Sequence, residues 1–243
     1  MSSAGAVVHR RRTGLAALAI VVAGGLLAGC AQEPAEPAPT TPAPAPTTPA
    51  PEPAPTEAAW ERFTDDRLPH SFEVPPGWTV TDLGGDPTYG SFQFGVVNPD
   101  GDQLLTFSSR VQGLGGACGD LPVLTIEEVD SHSVDLPGYV ADAAPMSPLV
   151  PPRVVYRVSA VEGGAIAGLS LSDDTPTDAC MYYNLLHPEQ GLAMFATQLQ
   201  VDSYEPSESE WFFPSVDEAK AYAETAEYSQ LVRILSSLQF STP

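Results

Sequence analysis

The chain has 243 residues, with 26 prolines and 20 glycines, and sets 10 Lys and Arg against 31 Asp and Glu for a formal charge of -21. That balance excludes nucleic-acid binding, which needs clustered cations facing phosphate, and excludes a polybasic attachment to anionic headgroups. Charge of this sign speaks to solubility and partners rather than to fold, and a monomer with a negative surface is the simplest expectation.

In chain order, the first element is a leader. His9-Arg10-Arg11-Arg12 is basic, and Leu15 to Ala28 is apolar but broken by glycines and shorter than the roughly 20 residues of a spanning helix. Small residues follow at Ala28-Gly29, so residues 1–29 read as a signal peptide. Arg11-Arg12 lacks the rest of a twin-arginine motif, which leaves general secretion. Removing the three leader arginines from the 10 basic residues leaves 7 against 31 acidic ones, a charge of -24, and Lys220 is the one lysine.

The residues Leu27-Ala28-Gly29-Cys30 resemble the lipobox of bacterial lipoproteins. That resemblance implies a diacylglycerol on the Cys30 sulfur, cleavage before Cys30, and further acylation with a chain such as palmitate. The protein would then be held on the extracytoplasmic face of the cell membrane. One acyl chain gives marginal binding, whereas two or more give a stable anchor. From Ala31 to Ala58 the sequence is almost wholly Ala, Pro, Thr and Glu. Proline removes amide donors, no large apolar side chain is present, and residues 30–58 therefore read as the lipidated cysteine and a disordered, polyproline-like spacer.

Residues 59–243 read as one folded extracytoplasmic domain of α+β class. Phe72-Glu-Val-Pro-Pro-Gly-Trp-Thr-Val has the form of a strand, a turn and a second strand. Asn98-Pro-Asp-Gly101 predicts a type I turn between two strands, with Asp100 and Asp102 serving the turn rather than calcium. Strands are also predicted at 123–129, 153–161, 165–171, 181–186 and 192–201. Val154, Tyr156, Val158 and Ala160 share one face of the 153–161 strand. Short connections imply an antiparallel sheet. Ser215-Val-Asp-Glu218 is a capping box, and the apolar spacing from Ala219 to Leu238 predicts one long C-terminal helix packed on a face of the sheet. Gln239-Phe240 follows as a last short strand.

Phe72-Glu-Val-Pro-Pro-Gly-Trp-Thr-Val and the ending Tyr228 to Phe240 are similar to the early and terminal segments of the PsbP/Mog1-like superfamily. Actinobacterial lipoproteins of the LpqN/LpqT type are placed in that group. The resemblance implies an antiparallel sheet flanked by helices and an accessory, protein-binding role without catalytic apparatus. It covers only the two ends of the domain.

Cys118 and Cys180, an even pair in an exported domain, read as a disulfide closing a loop of roughly 60 residues, worth about 4 kcal/mol in the chain-entropy account. The glycines of Gly113-Leu-Gly-Gly-Ala-Cys-Gly119 fit a tight loop around that bridge rather than a phosphate cradle, since no P-loop Lys-Ser/Thr follows. His70, His132 and His187 share no metal-ligand spacing and read as solvated. Asp173, Asp174 and Asp178 read as a solvated loop, or alternatively as a surface calcium site, since clustered carboxylates suit hard cations. Trp211-Phe212-Phe213-Pro214 reads as a staple before the helix, or alternatively as an exposed anchor for a partner or a sugar. No catalytic motif, metal site or cofactor site is expected. The function expected is a membrane-anchored, non-enzymatic module that binds another envelope protein or cell-wall material. The alternative is a carrier or receptor for a small or lipidic ligand.

Overall fold

The computed structural model describes residues 59–241; the leader, Cys30 and the spacer lie outside the described residues, and with them the signal-peptide and lipidation expectations. Strands β1 (Glu61–Thr64), β2 (His70–Val74), β3 (Thr79–Asp86), β4 (Ser91–Val97) and β5 (Gln103–Ser108) come first. They are followed by β6 (Glu127–Ser133), β7 (Arg153–Val161) and β8 (Gly164–Ser172). Four short strands come next: β9 (Met181–Tyr183), β10 (Met194–Ala196), β11 (Gln200–Asp202) and β12 (Phe212–Phe213). Helices α1 (Val216–Ala221) and α2 (Ala226–Ser236) precede the closing strand β13 (Gln239–Phe240).

All strand pairing is antiparallel, as the short connections imply, but it is divided among three sheets rather than one. The largest has eight strands in the order β3-β4-β5-β10-β8-β7-β6, with β12 also on β8. The N-terminal β1-β2 hairpin takes up β13 as a second sheet, and β9 and β11 form a ribbon. The predicted turn joins β4 to β5: the Gly101 amide donates to the Asn98 carbonyl at 3.0 Å, and Asn98 Oδ1 accepts from the amides of Asp100 and Asp102. Strand β8 is the hub. One edge pairs with β7 along its whole length, while the other is shared between β12 at Ala165–Ile166 and β10 at Ser170–Leu171.

One face of the large sheet carries the core. Phe72 of β2, Phe107 of β5 and Phe195 of β10 meet with ring centroids 4.8 to 5.9 Å apart, and each is almost wholly buried. Burying a phenylalanine contributes roughly 1.5–3 kcal/mol, so such a cluster dominates local stability. A second cluster forms where the helices cover β7 and β8: Tyr156 packs on Tyr222 and Tyr228 at 6.0 and 5.4 Å, and its hydroxyl donates to the Ala219 carbonyl.

Among the described residues the single long helix is not present. Ser215 caps α1 as expected, its hydroxyl accepting from the Glu218 amide. The helix then tightens into a 3-10 turn over Tyr222–Glu224 and stops at Thr225, whose backbone is extended at φ -84°, ψ 154°. The Thr225 hydroxyl donates to the Tyr222 carbonyl at 2.8 Å and accepts from the Tyr228 amide at 3.1 Å, so it closes one helix and caps the next. Helical periodicity runs through the break because Tyr222 and Tyr228 face the same tyrosine. The predicted strand at 123–129 is also displaced: pairing begins at Glu127, and Leu124 makes only an isolated bridge to Ala179.

The ends of the eight-stranded sheet are blunted. Strand β3 is bulged between Asp82 and Gly84, and β6 between Glu128 and Asp130, and both expose acidic side chains. Among the described residues no helix is long and apolar enough to cross a membrane.

Candidate functional site

A buried polar network starts where β8 ends. Asp173 has no exposed surface. Its carboxylate accepts from the Tyr139 hydroxyl, from the His187 amide at 3.0 Å, and from His187 Nδ1 at 2.7 Å. Burial followed by the Asp173 contact pushes the Tyr139 phenol well up, so it remains a neutral donor. His187 is raised above the ordinary imidazole value, first by its hydrogen bond to Asp173 and then by the carboxylates of Asp173, Asp174 and Asp142; burial opposes this.

This network holds a loop. Residues Val134 to Pro152, between β6 and β7, form neither strand nor helix. The Asp142 amide donates to the His187 carbonyl, the Glu189 amide to the Val140 carbonyl, and the Val150 amide to the Asp173 carbonyl, each at 2.8 Å. Tyr139 packs edge-on against Phe240 at 5.5 Å. Gly138, at φ +76°, passes so close to β13 that a Cβ there would lie 2.0 Å from the Phe240 carbonyl. Both ends of the loop are therefore pinned, and the carboxylate of Asp173 is the centre of the pin.

The other face of β7 and β8 is also buried, under the β9-β11 ribbon. Arg157 is fully enclosed there. Its guanidinium donates to Asn184 Oδ1 at 3.2 Å and to the Asp174 carbonyl at 3.1 Å, lies 3.5 Å from Glu128, and leaves Nε without a partner. Burial lowers the Arg157 pKa, raises that of Asp174, and pushes Tyr182 up to about 12. Asn184 is held in turn by Ser170 and by the Gln198 carbonyl.

The ribbon is pinned by Cys118–Cys180, which are disulfide-bonded with Cα atoms 5.5 Å apart and a sequence separation of 62. Beside it the Leu124 amide reaches the Ala179 carbonyl, and the Tyr183 hydroxyl donates to the Gly115 carbonyl, so the Gly-rich loop is fixed to β9. A groove of about 280 Å³ lies beside β11, Ile166 of β8 and the 3-10 turn at Pro206–Glu208, lined by Gln198, Gln200, Asp202, Tyr204 and Glu208. Its amides are largely committed inside the protein: Gln198 bonds the Ala167 carbonyl and Ser209, and Gln200 bonds Asp202.

Several sequence readings change at this point. His70 and His187 are not solvated. His70 lies between Phe107 and Phe240 with Nδ1 unpartnered, and burial lowers its pKa to about 4. His132 alone is exposed, 2.8 Å from Asp130. The acids after β8 are not a free loop either: Asp173 and Asp174 belong to the networks above, and Asp178 accepts from the Ile126 amide. Trp211 and Phe213 lie in the core, both packed on Tyr222, while Phe212 is half-buried on β12. For Trp211 and Phe213 this is the staple reading, and the exposed-anchor alternative does not hold for them; the histidine and aspartate contacts arise mostly between segments distant in sequence, and no local motif announces them.

The Asp173–His187 pair has the orientation of a general base, with Nδ1 on the carboxylate and Nε2 facing away. The groups it touches are donors that tie down the loop rather than a nucleophile. Among the described residues no group of three or more His, Cys, Asp or Glu could hold a metal. What the arrangement does on its own is clamp a loop. No family model matches the chain, and neither does any curated protein or solved structure.

Proposed function

We propose that the protein is an extracytoplasmic lipoprotein, anchored through a lipid on Cys30 and raised on the Pro-rich spacer, whose domain is a non-enzymatic module that binds another envelope component. The reading rests on the lipobox sequence at the N-terminal end and on the structure of the domain at the other. The observation that carries it over the carrier alternative is the filled layer between the large sheet and the elements that cover it, β2 and the helices. Phe72, Phe107, Phe195, Tyr156, Tyr222, Tyr228 and Trp211 occupy that space with rings in contact, where a lipid or small-molecule carrier needs a chamber. The disulfide supports an oxidising compartment. The PsbP/Mog1-like resemblance points the same way by analogy of fold.

The test is metabolic labelling of the full chain in its own host with an alkynyl fatty acid, beside a Cys30→Ala variant. Label in the wild type and a released, unlabelled variant support the anchor; equal labelling or equal retention overturns it. Native mass spectrometry of the detergent-purified chain addresses the domain. A mass accounted for by protein and its acyl chains supports the module, and an additional ligand of several hundred daltons would move the reading to the carrier.

A further inference from the structure

The β9-β11 ribbon rests on the large sheet through little apolar surface. Leu124, Ile166, Tyr182 and Val201 form a small cluster there, separate from the main core. Beneath the ribbon lies Arg157, with no exposed surface. A buried cation is costly unless its hydrogen bonds and charge are fully matched. Here they are matched in part: Nε has no partner among the described residues, and the carboxylates of Glu128 and Asp174 lie at 3.5 and 3.9 Å. Ser159, two positions along β7 on the same face, is also buried with its hydroxyl unpartnered. Both groups would gain hydration if the ribbon lifted. The partners of Arg157 depend on it less than it depends on them. Asn184 Oδ1 also accepts from Ser170, Glu128 also pairs with Arg153, and the Asp174 carboxylate accepts from Ser172.

A strap holds the ribbon down. Residues 112–123 form neither strand nor helix, and none of them is buried. The strap meets the ribbon at Gly115, bonded to the Tyr183 hydroxyl, and at Pro122, whose carbonyl accepts from the Ser203 hydroxyl at 2.7 Å. Between these two ties lies the Cys118–Cys180 bridge, the covalent one, with Cys118 exposed and Cys180 wholly buried. We propose that this disulfide is a redox latch: it keeps the ribbon shut over Arg157, and its reduction lets the ribbon open locally while the main core stays folded. A dithiol reductant supplies the two electrons. Its thiolate attacks the Cys118 sulfur, the Cys118–Cys180 bond breaks, and Cys180 leaves as a thiolate that takes up a proton. The second thiol of the reductant then closes on the first, releasing Cys118 as a thiol and leaving the reductant as a disulfide. The latch is independent of the interaction-module reading.

The experiment reduces the full-length chain with dithiothreitol, removes the reductant under argon and alkylates with iodoacetamide, reading Cys118 and Cys180 separately by peptide mass mapping. In the reduced wild type Cys180 should react within about tenfold of the rate at Cys118, while amide exchange in β4 and β5 stays slow. Arg157→Met keeps an unbranched side chain without the charge, and there Cys180 should react about tenfold more slowly than in the reduced wild type, with Cys118 unchanged. Cys180 protected equally in the two proteins, or alkylated faster in Arg157→Met, overturns the latch. Loss of protection in β4 and β5 on reduction also overturns it, because the whole domain would then be unfolding. Should Arg157→Met fail to fold, Ser159→Ala takes its place, with slowing of Cys180 by about threefold expected and no slowing overturning the proposal.

Discussion

Replacing Asp173 with alanine strips one acceptor from three donors at once: the Tyr139 hydroxyl, the His187 amide and His187 Nδ1. Two neutral donors lose about 1 kcal/mol each and the charge-assisted imidazole bond about 2 kcal/mol. Removing a buried carboxylate also recovers part of its desolvation cost, which brings the net loss to about 3 kcal/mol. In a domain of roughly 185 residues each kcal/mol moves the melting temperature by about 2–4 °C, so the expected drop is about 6–12 °C. Calorimetry at pH 6 with the disulfide intact measures the drop, and amide hydrogen exchange locates it. Exchange should accelerate between Tyr139 and Val150 while β4 and β5 keep their protection. A drop below 2 °C, or acceleration spread evenly over the domain, would refute the clamp. The pH dependence carries a sign. His187 titrates above its ordinary value in the folded state, so its contribution is complete below the unfolded value of 6.5 and disappears as pH rises through the folded value. The stability gap between wild type and Asp173→Asn should therefore narrow on going from pH 6 towards alkaline pH.

His70 has the opposite dependence: its pKa of about 4 lies below the unfolded 6.5, so stability falls as pH drops between those values, by about 3 kcal/mol in full. Acid denaturation monitored by near-UV dichroism should show His70→Phe resisting this loss; an unchanged acid midpoint would locate the sensitivity elsewhere. Thr225→Ala removes both the stop of α1 and the cap of α2, and should cost about 1 kcal/mol in urea unfolding. A variant as stable as wild type would mean that the helix break is set by tyrosine packing alone. Cys118→Ser with Cys180→Ser opens a closure of 62 positions and should cost about 4 kcal/mol in the chain-entropy account. Reduction of the wild-type protein should match the double variant, and a mismatch of more than about 1 kcal/mol would point to strain or residual structure outside that account.

Local chemistry made much of the fold legible. The Asn98–Gly101 turn, the Ser215 cap and the pairing of Cys118 with Cys180 depend on residues whose backbone or redox preferences act on their own. The helix over 215–238 misled because Thr225 is compatible with either a helix interior or a cap, and the choice is made by Tyr156, far earlier in the chain. Arg157 falls on the alternate face of β7, where a charged residue ordinarily meets water; the β9-β11 ribbon that buries it could not be placed from sequence. Asp173 and His187 looked solvated for the same reason, since their partner Tyr139 arrives from a separate loop. The partition into three sheets was hidden because β2 and β3 adjoin in sequence, across one Pro-Gly turn, yet belong to different sheets.

The bulged, acidic end strands of the large sheet acquire a further meaning on a surface. Molecules confined to two dimensions by a lipid meet edge to edge far more often than molecules free in solution, and an open flat strand would let neighbouring copies knit into a continuous ribbon. At β3 the ladder is bulged between Asp82 and Gly84, and at β6 a second bulge between Glu128 and Asp130 interrupts the outermost pairing. If the chain is anchored through Cys30 as proposed, a crowded layer of it would thus stay a population of separate domains.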